Sequence, residues 1–514
     1  MNRLNELLPA KWNDLFLYTF ESDDMVLSSP RLPSRQKIVK TRIIATIGPA
    51  SESEAVLREL VASGVDIFRL NFAHGEHSWL EGQLQKIRRI SEELACPVGV
   101  LGDLSGPKIR LGEIVGGDVQ CHEGAEFRFI RGTESTVPDD LTCTYEPLID
   151  DVRTGDRILL ADGTVAMTVL EKASDLSWIR CLVTQPGKIR SRQGVNLPGV
   201  ALSTPSVTEK DRRDLQWALQ HRLDFIGLSF VRQAEDIQLL QQLIAGQNPA
   251  VTPLIVAKIE KAEAIANLES ILQVTDAVMV ARGDLGVETE ITRVPILQKH
   301  IIQRCNTLRI PVITATQMLD SMQASELPTR AEVTDVANAV IDGTDAVMLS
   351  GETAIGQHPV QCVRMMDRIA AEAEPLVIPH DPPDINSEDS RRARPITEAV
   401  TRGAISAAEY LQADLIVVAT VTGRTALALS RHRGHVPILA ITDREEIARR
   451  MCLYWGVTPI LSKQVRTSAE ALMQIVLQWG RQHDMLRSGS KVVIVGHTNW
   501  LGDAHDLVMV QEIP

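Results

Sequence analysis

Lys258 and Glu260 stand two residues apart at the end of the apolar run LIVAKIE, and Asp284 closes a second run, DAVMVARGD. Residues two apart in an extended chain project to the same side, so one ammonium and one carboxylate would face one way. Gly283 allows an unusual backbone beside Asp284, and the following LGVE can open a helical turn with free N–H groups. Two acids, an amine and a nest of amides at neighbouring strand ends suit a hard cation and an anionic substrate. The same residues would also serve as ordinary strand ends capped by solvated charge.

Other runs end in the same way. RLNFAHGEHSWL supplies Arg69 and Asn71; Arg69 can clamp a phosphate with two parallel hydrogen bonds, or simply pair with a neighbouring carboxylate. LGDLSGPKIR places Asp103, Lys108 and Arg110 around a Gly-Pro turn, a natural hinge. Thr316 in ITATQML leads from a strand into a helix, where a lone threonine also works as an N-cap. Together these residues describe a divalent metal with Lys and Arg around a transferring phosphoryl group, chemistry that is mostly positioning and charge neutralisation. Neither G-x-x-x-x-G-K-[ST] nor a dinucleotide glycine fingerprint occurs, and H-E-x-x-H is absent. A metal here would be oxygen-ligated, hence magnesium, with manganese as a substitute.

Strands and helices must bring these ends together. Eight apolar runs alternate with helical patterns: RIIATIGP, VDIFRLNF, PVGVLGDL, LDFIGLSF, PLIVAKIE, DAVMVARGD, IPVITATQ and DAVMLSGE. Eight strands close a (β/α)8 TIM barrel, which builds its sites from the C-terminal strand ends. Those ends carry Pro49, Arg69, Asn71, Asp103, Ser229, Lys258, Glu260, Asp284, Thr316, Ser350 and Glu352. After the third run, short strand-like pieces broken by GG, EG, TG, DG and PG pairs read as an inserted all-β lid domain. A proline-rich, charged linker follows the eighth run, and the alternation then resumes as a C-terminal doubly wound α/β domain. Its first strand leads into Thr420-Val421-Thr422-Gly423-Arg424-Thr425, a plausible phosphate cradle that could also be a plain helix cap. The expected divisions are an extension at 1–36, a barrel at 37–105 and 206–374, a lid at 106–205 and a C-terminal domain at 375–514.

The chain has 514 residues and a formal charge of −13, which argues against non-specific binding to nucleic acid or to membrane surfaces. Its seven cysteines are scattered and never form C-x-x-C, pointing to a reducing compartment without disulfides or structural zinc. The longest apolar runs are strand-sized, too short for a membrane span. No secretory signal is expected from the N-terminal residues, which lack a continuous apolar segment.

From about Lys37 onward the sequence resembles the pyruvate kinases, through TRIIATIGPAS, FRLNFAHG, GDLSGPKIR, GVNLPG, PSVTEKD, AKIEKAEAI, ARGDLGVE, ITATQMLDSM, PTRAEVTDVANAV and MLSGETAIG. The resemblance implies a phosphotransferase making pyruvate and ATP from phosphoenolpyruvate and ADP, at the end of glycolysis in the cytoplasm. It implies that Glu260 and Asp284 hold magnesium, Lys258 neutralises the phosphoryl group and Arg69 binds the phosphate. Thr316 would stand beside the enolate, and amides around Gly283 and Asp284 would take the substrate carboxylate. Pro49, Asn71, His74, Trp79 and Arg110 would contact ADP, which would bring a second magnesium. The Thr420–Thr425 loop matches the family's effector site; uncharged Val421 favours a monophosphate, such as a sugar phosphate or AMP. A homotetramer is implied as well.

Two departures carry expectations of their own. The family's potassium ligands read here as Asn71, Ala73, Asp103 and Leu104, and a nearby glutamate position is Lys108. An ammonium from Lys108 beside Asp103 would replace the ion, so potassium is not expected to be required. Gln193 stands where a nucleotide-contacting lysine is common, which bears on nucleotide preference. Two competing readings are a magnesium-dependent aldolase or lyase, which leaves the lid, Arg110 and Thr316 unexplained, and a catalytically silent sensor, which has no need of the intact site.

Overall fold

The computed structural model describes residues 39–132, 134–200, 202–378, 395–466, 468–497 and 505–514. The expected 1–36 extension and most of the linker after the barrel lie outside them. All eight anticipated runs form strands: β1 (Arg42–Thr46), β2 (Ile67–Asn71), β3 (Gly99–Asp103), β4 (Phe225–Leu228), β5 (Leu254–Ile259), β6 (Ala277–Ala281), β7 (Val312–Ala315) and β8 (Ala346–Leu349). They close a parallel barrel in sequential order, with β1 pairing both β2 and β8. Helices cover the outside, which is why the runs are apolar on both faces. The helix Glu54–Ser63 shows how their ends are set: the Ser53 side chain accepts from the Val56 N–H, and Gly64 ends it at φ 116°.

Inside the barrel the two-residue period sorts the chemistry by depth. Ile44, Ile67, Leu101 and Val256 belong to one buried apolar cluster. Two residues further along the same strands come Thr46, Arg69, Asp103 and Lys258, so the polar groups reach the mouth of the barrel while its depth stays apolar. The matching position on β4 is Gly227, where a Cβ would stand 2.9 Å from Asp103 Oδ1. Glycine leaves the space that the Asp103 carboxylate fills.

At the other end, an aspartate precedes each even-numbered strand. Asp66, Asp224, Asp276 and Asp345 accept the N–H groups of Ile43, Val100, Ile255 and Val312 at 2.8, 2.9, 2.9 and 2.8 Å. Each carboxylate thus satisfies an amide of the preceding strand. The C-terminal domain docks on this face with arginines. Arg431 and Arg433 meet Asp345 at 2.8 and 2.9 Å, and Arg449 meets Asp224 at 2.7 Å. The barrel interior and one face of the C-terminal sheet share a single apolar cluster.

That sheet comprises β9 (Leu415–Ala419), β10 (Ile438–Thr442), β11 (Val457–Leu461), β12 (Lys491–Gly496) and β13 (Leu507–Glu512), ordered β11-β10-β9-β12-β13. Ile416 and Val418 face the helices Pro395–Tyr410 and Arg424–Arg431, while Leu415 and Val417 face the helix Ala469–Gln482. Helices therefore cover both faces, as a doubly wound domain requires. The edge strand β13 runs antiparallel to β12.

The lid is all-β apart from the one-turn helix Leu148–Asp151, with a six-stranded and a two-stranded sheet around its own core, which includes Phe127, Phe129, Ile158 and Val183. Glycines of the GG, EG, TG and DG pairs adopt positive φ, whereas Gly187 of the PG pair opens the strand Gly187–Arg190. Its Cβ would meet Val165 Cγ2 at 2.8 Å, so close strand packing rather than a turn selects glycine there. Both connections to the barrel are anchored. The Gly106 N–H donates to Asp211 Oδ1 at 3.2 Å, and Arg232 donates to the carbonyls of Leu202 and Thr204 at 2.8 and 3.4 Å.

Candidate active site

The mouth of the barrel gathers β2, β3 and β5 around a buried chain of charge. Arg69 places Nε 2.8 Å and Nη2 2.6 Å from Asp103 Oδ2, and Asp103 is only 1% exposed. Lys258 Nζ lies 3.4 Å from Asp103 Oδ1 and 2.9 Å from Glu260 Oε1, and donates to Ser229 Oγ at 2.7 Å. Glu260 Oε2 accepts the Phe230 N–H at 2.9 Å. Phe230 holds φ 55°, a left-handed conformation that is unusual for a bulky residue. Thr46, absent from the sequence reading, receives Arg69 Nη1 at 3.2 Å and donates to the Leu349 carbonyl at 2.9 Å. It joins the first, second and eighth strands.

Charge pairing decides the protonation states. Burial works against the Lys258 ammonium, but the carboxylates of Asp103 and Glu260 outweigh it and raise its pKa. Burial likewise opposes the Asp103 carboxylate, yet Lys258 and Arg69 hold its pKa below the usual range. Glu260 goes the other way: burial, reinforced by nearby Asp284, raises its pKa despite Lys258. The site therefore holds a fixed lysine cation and a pair of acids, Glu260 and Asp284, with mutual repulsion that a cation would relieve. Among the described residues no group of three or more His, Cys, Asp or Glu side chains could hold a metal. Two carboxylates without further protein ligands fit magnesium, which keeps waters and takes substrate oxygens.

Beside β5, the helix Arg282–Glu288 follows β6 directly and carries Gly283 and Asp284. The Gly283 N–H donates to Thr316 Oγ1 at 2.8 Å, and that hydroxyl donates to the Ala315 carbonyl at 2.6 Å. Thr316 and Gln317 take φ 66° and 54°, strained values for side-chain-bearing residues. Arg282 holds this turn. Its Nη2 donates to the Thr316 and Gln317 carbonyls at 2.5 and 3.1 Å, and its Nη1 reaches Asp335 at 2.5 Å. Sequence reading passed over Arg282, although an arginine ending an apolar run was a visible signal.

The remaining expected residues are dispersed around the rim. Pro49 is exposed beyond β1, and Asn71 Oδ1 accepts the Ala73 N–H at 3.0 Å. Trp79 packs against the core and donates to Glu52 Oε2 at 2.7 Å. Arg110 donates to the Arg192 carbonyl at 3.2 Å in the lid. Partial burial lowers the His74 pKa, with Arg110, Lys108 and Arg69 adding to the effect, so these cations lie around it. Lys108 is not brought to Asp103. It is exposed beyond the Gly106–Pro107 turn, and the cations on Asp103 are Arg69 and Lys258. Gln193 is likewise committed, its Oε1 accepting the Arg190 N–H at 2.7 Å within a lid turn.

In the C-terminal domain, Thr420 Oγ1 accepts the Gly423 N–H at 3.0 Å, and Thr425 Oγ1 meets His505 Nδ1 at 2.9 Å. Both threonines are buried, which leaves Thr422 and Arg424 exposed in this turn. Gly423 holds φ 78°, the conformation that requires glycine there.

Residues 38–363 match the family model described as "Pyruvate kinase, barrel domain", and residues 398–510 match "Pyruvate kinase, alpha/beta domain". The chain is 43% identical over 478 residues to pyruvate kinase 2 of Synechocystis sp., covering 92% of this chain and 79% of that protein. It is 40% identical to the pyruvate kinase of Geobacillus stearothermophilus, covering 88% and 77%. A crystal structure of a pyruvate kinase from Cryptosporidium parvum superposes with a TM-score of 0.84 at 35% identity, over 92% of this chain and 96% of that one.

Proposed function

The chain belongs to the pyruvate kinase family, and from that premise we propose that it transfers the phosphoryl group of phosphoenolpyruvate to ADP, giving pyruvate and ATP. The observation that carries this reading is Lys258 Nζ, held between Asp103, Glu260 and Ser229 at the barrel mouth. Lys258 and Arg69 would neutralise the phosphoryl oxygens in flight, fixed in place before the substrate arrives. The substrate carboxylate would take the Gly283 and Asp284 amides. Since Gly283 N–H is bonded to Thr316 Oγ1, the carboxylate would displace that hydroxyl and free it to face the enolate carbon, where a proton must arrive. Glu260 and Asp284 would hold magnesium or manganese, which when bound supplies charge stabilisation to substrate oxygens. ADP would enter between Pro49, Asn71, His74, Trp79 and the lid-borne Arg110, with the lid excluding water.

The finer assignments belong to the same proposal. The domain limits are those expected from the sequence, with the barrel at 37–105 and 206–374, the lid between them and the C-terminal domain from 375. Potassium is dispensable because Asp103 already has two buried cations and Ala73 offers no hydroxyl. An effector carrying one phosphate, a sugar phosphate or AMP, would bind at Thr422 and Arg424, on the turn capped by Thr420 and Thr425 around Gly423. A homotetramer is what membership of the family implies. The seven cysteines form no disulfide, which suits a cytoplasmic glycolytic enzyme. Among the described residues no helix is long and apolar enough to cross a membrane.

A coupled assay tests the reaction. The full chain with magnesium should form ATP from phosphoenolpyruvate and ADP, and Lys258→Met should lose roughly 10²–10³-fold in kcat. No ATP from the wild type, or equal turnover by the variant, would overturn the proposal.

A further inference from the structure

We propose that Glu288 is a positioning residue, the seat that fixes the lid's attitude over the two strand ends bearing Glu260 and Asp284. This inference rests on the reading of those acids given above. Glu288 closes the helix Arg282–Glu288, four residues after Asp284, and Lys261 directly follows Glu260. Lys261 Nζ lies 2.7 Å from Glu288 Oε1, with the two side chains 6% and 1% exposed. The same oxygen accepts from Asn196 Nδ2 at 3.2 Å, and Asn196 belongs to the lid strand Val195–Asn196. One carboxylate oxygen therefore joins the element after the fifth strand, the element after the sixth, and the lid.

Two further contacts support the seat. Gly163, at φ 83° in a lid turn, lies so close to the helix that its Cβ would stand 3.6 Å from Val287 Cγ1. Lys261 Nζ is 5.9 Å from the centre of the Phe230 ring, and Phe230 is the residue whose amide holds Glu260. The second oxygen, Glu288 Oε2, is buried without a hydrogen-bond partner among the described residues. The carboxylate is thus held through Oε1 alone, by one ammonium from the barrel and one amide from the lid. Lys261 keeps the charge paired whatever the lid does, but without Asn196 the buried carboxylate would lose its lid hydrogen bond, so the seat favours the lid attitude that presents that amide.

The test uses the full chain carrying Asn196→Asp, Glu288→Gln, or both. Asn196→Asp puts a like charge against the buried carboxylate without altering a barrel residue. Its KM for ADP should rise about tenfold, the scale of an outer-shell loss, while KM for phosphoenolpyruvate and the thermal midpoint stay close to wild type. Hydrogen exchange in lid peptides around residues 157–165 and 193–200 should quicken. Adding Glu288→Gln removes the repulsion and should recover most of the ADP affinity and exchange protection. Wild-type values for Asn196→Asp in both KM and exchange would overturn the seat, as would effects that simply multiply in the double variant. If the wild type formed no ATP, the proposed reaction would fall, and the exchange measurements would still decide the seat.

Discussion

Arg282 binds the carbonyl of Thr316 through two nitrogens, Nη2 at 2.5 Å and Nε at 3.2 Å, and so holds a β-branched residue in the left-handed region. Such a conformation costs on the order of 1–3 kcal/mol and persists where its surroundings over-determine it. Arg282→Met should let the turn relax and carry the Thr316 hydroxyl away from Gly283, lowering kcat roughly 10²-fold. Arg282→Lys should recover little, because a point charge cannot serve carbonyls and Asp335 through a planar fork. Stopped-time kinetics and a thermal melt separate this from unfolding: full activity in a folded Met variant would refute it.

Potassium tests the charge balance around Asp103. Titrating KCl against tetramethylammonium chloride at constant ionic strength should leave turnover nearly flat, since surface screening is then held fixed. A many-fold rise for the wild type would show that Arg69 and Lys258 do not replace the ion.

His432 gives a pH dependence of stability. Burial pushes its pKa down from 6.5 to about 4, with Arg309 and Arg402 adding to the effect. The unfolded chain therefore binds the proton more readily. Its contribution is fully present above pH 6.5 and is lost as pH falls from there towards 4, amounting to about 3 kcal/mol. His432→Asn should flatten the melting temperature across that window relative to wild type. Parallel curves would refute the assignment.

Asp345 is the counter-charge for two buried arginines, Arg431 and Arg433, where the C-terminal domain meets the eighth strand. Asp345→Asn should destabilise the protein by roughly 3–5 kcal/mol, because it leaves buried cations unpaired. Adding Arg433→Met should return part of that loss in urea titrations. Strict additivity would mean that the two residues are not coupled.

The eight strands were legible because helices cover the barrel outside, making each run apolar throughout, and the polar ends were legible because strand period carries through to the mouth. Arg69, Asp103, Lys258 and Glu260 do meet there. Lys108 was misplaced for a reason that sequence does not carry: the turn at Gly106 leaves it exposed, and Asp103 finds its cations in Arg69 of the neighbouring strand and Lys258 two strands along. The left-handed backbones of Phe230 and Thr316 were equally hidden, since neither residue type advertises one. The aspartates before the even strands were written plainly, as V-D-I-F, L-D-F-I and T-D-A-V, yet their role needed the neighbouring strands to be in place.

That ring of aspartates has a consequence for how the molecule comes apart. Two of its carboxylates, Asp224 and Asp345, are shared between strand amides and arginines of the C-terminal domain, over a continuous apolar cluster. Barrel and C-terminal domain should therefore melt in a single calorimetric transition. The lid, with its separate core and two tethers, is the part free to give a second, smaller peak of its own.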